Sequence, residues 1–146
     1  MKLPIETLQQ IQQMLNAVPF MKSLNQKEVE ELAYQFNQRH FMKGETIIHQ
    51  GEPGKLFHLI TKGRVDVFRK SLFGRKKLAE LGPGNFFGEM ALIENVPRTA
   101  TVVGSEDGEM YTLSRDVFER ILLTNPSVSE TIKQEANRRK ESNKAL

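Results

Sequence analysis

The spacing of hydrophobic positions changes character twice along the chain. Near the N-terminus, Leu8, Ile11 and Leu15 recur every three or four residues, which predicts a helix over 5–17. Pro4 suits its first turn and Pro19 ends it. A second helix is expected to begin at Asn25, where Glu28 stands three places on in a capping-box arrangement. Its apolar stripe is Val29, Leu32, Ala33 and Phe36. From about 38 to 113 the apolar segments become short and glycines punctuate them. The candidate strands are HFM, TIIHQ, LFHLI, RVDVFRK, KKLAEL, TATVV and EMYTLS. In RVDVF, Val65 and Val67 alternate with Asp66 and Phe68, as a strand with two distinct faces requires. Helical spacing returns after Ser114, a good N-cap, with Val117, Phe118, Ile121 and Leu122 on one stripe. Asn125-Pro126 breaks that helix, and a last one is expected through Val128 and Ile132 to about Glu141.

This order predicts a mainly β fold, a β-barrel or jelly roll of short strands with helices on both flanks. The expected organisation is a single domain over 1–146, with N-terminal helices in 1–37, the barrel in 38–113 and C-terminal helices in 114–146. Neither an internal repeat nor a low-complexity tract is legible.

Composition narrows the function classes. Cysteine is absent, which removes a disulfide framework, a thiolate metal site and a cysteine nucleophile. No apolar run approaches the roughly 18 residues of a membrane span, and MKLPIETLQQ lacks the apolar core of a secretory signal. A cytoplasmic setting is the expectation. The net charge of +3 is too mild to argue for nucleic acid, and the excess is local. Arg69, Lys70, Arg75, Lys76 and Lys77 lie in the acid-free stretch RKSLFGRKK, and Arg138, Arg139 and Lys140 lie near the C-terminus. These are read as a solvated hairpin tip and a solvated helix end, with an anion patch as the other reading.

One stretch carries chemistry. Residues 86–102 read FFGEMALIENVPRTATV, which places Glu89 and Arg98 among apolar residues. Two such charges are costly unless each finds a partner. The run after Gly88 predicts a short helix, ended by Asn95 and Pro97. A helix start offers free N–H groups to an anion, and glycine lets a ligand approach the backbone. Arginine's fork suits a phosphate. Glu89 repels a phosphate but accepts from a hydroxyl, so a ligand bearing both satisfies both charges. A ribose 2′-OH beside a 3′,5′-cyclic phosphate fits that description.

FGEMALIENVPRTATV resembles the phosphate-binding cassette of cyclic-nucleotide-binding domains, a pattern of FGE, an apolar residue, Ala-Leu, and then Pro-Arg-small-Ala-small. Gly88, Glu89, Ala91, Leu92, Pro97, Arg98 and Ala100 match in one register. GEPGKLFHLITKGRVDVF resembles the family's second and third strands with their glycine-rich turns, and the likeness spans about residues 15 to 135. The resemblance implies a sensor or regulatory domain for cAMP or cGMP, without catalysis and without a cofactor. It implies that Glu89 accepts from the ribose 2′-OH and that Arg98 pairs with the exocyclic phosphate oxygens. Backbone N–H groups around Gly88, Met90 and Ala91, with those of Thr99 and Ala100, complete the phosphate cradle. The Thr99 side chain reaches the phosphate or the base. Threonine here is compatible with cGMP and frequent in bacterial domains that prefer cAMP, so the choice stays open.

The family also implies a conformational relay. An apolar residue behind the cassette, Leu92, shifts; the helix around Phe118 repacks; the helix beginning near Pro126 closes over the base as a lid, with Lys133, Asn137 and Arg138 as candidate contacts. Phe86, Phe87, Met90 and Leu92 are read as core rather than as ligand contacts. Some twenty residues follow Pro126, too few for the winged helix-turn-helix of DNA-binding relatives, so DNA binding is not expected from this chain alone. A downstream effector protein or domain is expected. Met1 hints at a stand-alone sensor, the regulatory piece of something longer being the other reading. Two other classes stay open: a ligand-free interaction module of the same fold, and a metal-dependent jelly-roll enzyme. For the latter, His40, His49 and His58 stand nine apart, but no HxH pair occurs, so they are read as strand histidines without a metal role.

Overall fold

The computed structural model describes residues 3–18, 21–22, 24–92, 94–95 and 97–122, together with Glu130, Gln134 and Asn137, which are helical and exposed. Two helices come first, α1 (Ile5–Leu15) and α2 (Gln26–Tyr34). Pro4 sits at the N-cap of α1 rather than inside its first turn, and its carbonyl accepts from the Leu8 N–H at 3.0 Å. The expected capping box of α2 is present. Asn25 Oδ1 accepts from the Glu28 N–H at 2.8 Å, and the Glu28 carboxylate accepts from the Asn25 N–H at 2.9 Å.

Eight strands follow: β1 (Asn37–Phe41), β2 (Thr46–Ile48), β3 (Leu56–Lys62), β4 (Val65–Ser71), β5 (Gly74–Leu81), β6 (Phe86–Phe87), β7 (Thr101–Gly104) and β8 (Gly108–Ser114). A 3₁₀ turn, Glu89–Leu92, lies between β6 and β7, and α3 (Arg115–Leu122) follows β8. The seven predicted strands are all found, with shifted ends. β6 was not predicted, and β1 begins three residues before HFM because the polar run NQRH pairs with β8. The strands form two four-stranded antiparallel sheets, in the orders β1-β8-β3-β6 and β2-β7-β4-β5.

Side-chain alternation divides the interior in two. One cluster lies between the sheets: Phe41, Ile48, Ile60, Val65, Val67, Phe87, Ala100, Val102 and Met110. The other lies between the first sheet and the helices, where Ile11, Leu15, Leu32 and Phe118 meet Phe57, Leu59, Tyr111 and Leu113. β3 is therefore buried on both faces, with Phe57 and Leu59 toward the helices and Ile60 toward the second sheet. Phe57 stands edge-on to Phe36 at 6.1 Å and to Phe86 at 5.7 Å, which fixes α2 and β6 against β3.

α3 starts as predicted: Ser114 Oγ accepts from the Val117 N–H at 3.3 Å. Of the helix predicted from Asn125-Pro126 to Glu141, Glu130, Gln134 and Asn137 are described, and they are helical; the rest of it, the side chain of Leu122, and the lid candidates Lys133 and Arg138 lie outside the described residues. Among the described residues no helix is long and apolar enough to cross a membrane.

Candidate functional site

Three segments distant in sequence meet around Arg98. Its backbone is held by the loop after β2: the Arg98 N–H donates to the Glu52 carbonyl at 2.7 Å, and the Gly51 N–H donates to the Arg98 carbonyl at 2.8 Å. Pro53 and Pro97 form an isolated bridge beside these bonds. The loop is tied in turn to the second sheet, because the Gln50 N–H donates to Thr101 Oγ1 at 3.0 Å and Gln50 Oε1 accepts from the Lys70 N–H at 2.8 Å. The guanidinium then reaches across to β3, where Nη2 donates to the Leu56 carbonyl at 2.7 Å.

Gly88 faces this guanidinium. It has φ +78°, and a Cβ built there would stand 2.6 Å from Arg98 Nη1 and 3.0 Å from the Leu56 oxygen. Only glycine supplies both the left-handed backbone and the empty space. The short helix predicted after Gly88 is a 3₁₀ turn of four residues, in which the Ala91 N–H donates to the Gly88 carbonyl at 3.1 Å. The Gly88 conformation and the return toward Pro97 leave room for a single turn. One of the N–H groups expected in the phosphate cradle, that of Ala91, is thus engaged within the turn.

A small pocket lies against Gly88, Arg98, Thr99 and Ala100, walled by Ile48, Val67, Phe87 and Val102. Four of the predicted site residues are therefore brought around one space. Glu89, Met90 and Ala91 occupy the adjoining turn, all buried, and are not among the residues that line it. Glu89 is 8% exposed. The ion pairs of the described residues do not join Arg98 to Glu89. The carboxylate that acts on Arg98 is Glu52: burial lowers the arginine pKa and the Glu52 charge raises it again. Thr99 is exposed, and its carbonyl accepts from Arg69 Nε at 3.3 Å.

A second, more open hollow shares Ile48 and Arg98 with the first and is lined further by Arg39, His49, Glu52, Lys55, Leu56 and His58. His58 stacks on Phe87 at 4.5 Å and 6°. Its Nδ1 is buried and has no hydrogen-bond partner among the described residues. Burial first, then the charges of Arg98 and Arg39, holds its pKa well below the ordinary histidine value. The three histidines do not converge. His40 is exposed on β1, His49 pairs with Glu52, and His58 is buried on β3. Among the described residues no group of three His, Cys, Asp or Glu side chains is placed to hold a metal ion.

Sequence reasoning missed the apolar wall. Ile48, Val67 and Val102 come from three strands, and their inward alternation was the available signal. The Leu56 carbonyl had none, since it is backbone. Phe87, read as core, is both core and cavity wall.

The family model of the cyclic nucleotide-binding domain matches residues 38–125. The chain belongs to the cyclic nucleotide-binding domain family. It is 33% identical over 108 residues to a cAMP-dependent protein kinase regulatory subunit of Hypocrea atroviridis, covering 74% of this chain and 22% of the relative. It is 34% identical over 115 residues to the cyclic AMP receptor protein of Thermus thermophilus, covering 78% of this chain and 53% of the relative. Among solved structures, the cAMP-bound PfPKA-R superposes with a TM-score of 0.77 at 29% identity, over 83% of this chain and 43% of that one. This cyclic nucleotide-binding domain thus spans between about a fifth and about half of the length of these three proteins. Its mainly β, two-sheet architecture is that of the family.

Proposed function

We propose that the chain is a cyclic-nucleotide sensor that binds cAMP, with cGMP as the competing ligand, and reports occupancy through the residues that follow the barrel. The observation that carries this reading is a half-buried guanidinium on the wall of an otherwise apolar cavity, facing a glycine that leaves its backbone open. A desolvated cation in such a place is a strong anchor for an anion with an apolar body. The named ligand of the PfPKA-R structure, cAMP, is such a molecule. In this reading Arg98 holds the exocyclic phosphate oxygens, and the N–H groups of Gly88, Met90, Thr99 and Ala100 complete the cradle. Ala91 joins them by loosening its bond to the Gly88 carbonyl. Glu89 takes the ribose 2′-OH when the turn closes on the ligand, and the base lies along Ile48, Val67 and Val102. Thr99 lies where its hydroxyl meets the phosphate or the base.

The relay is read from packing. Leu92 ends the cassette turn and shares the helix-side cluster with Phe118 of α3. A turn drawn toward the ligand moves Leu92, and Phe118 must repack with it because cores have discrete arrangements. The ligand stabilises the closed arrangement only by the extra contacts made there. We read 1–146 as one regulatory domain without catalytic machinery, acting on a separate effector protein or domain.

A thermal-shift assay with cAMP, cGMP and cyclic dinucleotides tests the proposal. At a hundred times its dissociation constant, the true ligand adds about 2.7 kcal/mol. No shift with any of them overturns the sensor reading and favours the ligand-free module. Deleting 127–146 should speed nucleotide release; an unchanged off-rate argues against a lid.

A further inference from the structure

We propose that the tip of the β4–β5 hairpin is a membrane-docking element that inserts Leu72 and Phe73 into an anionic bilayer. These two residues are 97% and 99% exposed, further out than any other large apolar side chain of the described residues. They occupy a two-residue turn between Ser71 and Gly74, closed by a bond from Ser71 Oγ to the Gly74 carbonyl at 3.0 Å. A leucine and a phenylalanine side by side in water are costly to leave exposed, and such a patch marks an interaction site.

Charge says what it meets. No Asp or Glu occurs from 67 to 79, while Arg69, Lys70, Arg75, Lys76 and Lys77 do. The register sets Arg69 opposite Lys76 and Lys70 opposite Arg75. Like charges directly opposite each other weaken a ladder, so the hairpin carries a repulsion that an external anion relieves. Lys77 is answered by Asp66 and Glu80. Arg75 lies 3.9 Å from the centroid of the Phe68 ring, and Arg69 bonds the Thr99 carbonyl. Neither neutralises a charge, and among the described residues no ion pair engages Lys70 or Lys76.

Because successive residues of a strand point to opposite faces, the two like-charge pairs lie on opposite faces of the hairpin. The cations form a collar around the stem rather than a stripe on one side. β5 is the edge strand of its sheet, and its first five residues are exposed, so the tip stands clear of the body. An apolar tip above a two-sided basic collar fits a planar surface entered end-on, with acyl chains meeting the tip and lipid phosphates or carboxylates meeting the collar. A groove on a protein partner would select one face.

The test uses the full chain and vesicles of phosphatidylcholine, with or without phosphatidylserine. The chain should sediment with the anionic vesicles and not with the neutral ones, and added salt should weaken the binding. Leu72→Ser with Phe73→Ser, and separately Lys70→Glu with Lys76→Glu, should each weaken it at least tenfold. All four side chains are exposed, and circular dichroism checks that the variants fold. The chain has no tryptophan, so Phe73→Trp supplies a single indole, whose emission should shift to the blue and be quenched by brominated lipid. A wild-type chain left in the supernatant, equal binding to neutral vesicles, or an indole shift that follows self-association without lipid would each overturn the proposal.

Discussion

Replacing Gly88 with alanine should damage the site through two separable costs. The first is conformational. Gly88 has φ +78°, where an L-residue loses about 1–2 kcal/mol. The second is steric. The new Cβ would stand 2.6 Å from Arg98 Nη1, a contact too close to keep. The guanidinium is the movable partner, and in moving it gives up its 2.7 Å bond to the Leu56 carbonyl. A bond to a charged group contributes about 1.5–3 kcal/mol, part of which water returns to a half-buried side chain. The total is about 2–4 kcal/mol, and each kcal/mol lowers the melting temperature by roughly 2–4 °C in a chain of this size. Urea denaturation should be run on the wild type, Gly88→Ala, Arg98→Ala and the double variant. In the Arg98→Ala background the clash with the guanidinium vanishes and only the 3.0 Å approach to the Leu56 oxygen remains, so Gly88→Ala should cost less than in the wild type, about 1–2 kcal/mol. An equal cost in both backgrounds would show that the methyl group does not meet Arg98. Wild-type stability in Gly88→Ala would refute both parts.

Two further predictions rest on other parts of the fold. His58 has its pKa held well below the ordinary histidine value of about 6.5, first by burial and then by the charges of Arg98 and Arg39. The unfolded chain therefore takes up a proton that the folded chain refuses, so stability falls as the pH drops below about 6.5, with a slope approaching 1.4 kcal/mol per pH unit. His58→Gln should remove that slope between neutral pH and the acid transition; the same pH dependence in both proteins would contradict the assignment. At the other end, Asn25→Ala breaks the α2 capping box and should cost about 1 kcal/mol. It should leave nucleotide affinity unchanged, and calorimetry showing an unaltered melting temperature would contradict the cap's role.

The elements that sequence revealed were those whose signal is local. The α2 capping box depends on two residues three apart, and the Val65/Val67 alternation on neighbours along one strand. β6 escaped because two residues are too few to show a period; Phe86 and Phe87 become a strand only by pairing with Leu59 and His58 of β3. The start of β1 escaped because its residues are polar, and only their bonds to β8 make them a strand. The cassette was legible for the same reason as the cap: Gly88, Arg98, Thr99 and Ala100 lie close in sequence and meet in space. Ile48, Val67 and Val102 reach the cavity from separate strands, so only the completed pairing of β2, β7 and β4 assembles that wall. The short helix predicted after Gly88 takes the 3₁₀ form because EMAL has good helical propensity but only a single turn's length.

Arg98 is proposed to be a desolvated cation kept for a ligand's phosphate. Isothermal calorimetry of the wild type and Arg98→Ala with cAMP and with cGMP tests it most directly. The wild type should bind at least one nucleotide measurably. Arg98→Ala should lose tens to hundreds of fold in affinity, the value of one charge-assisted bond of about 1.5–3 kcal/mol. Equal affinity in the two proteins would contradict it.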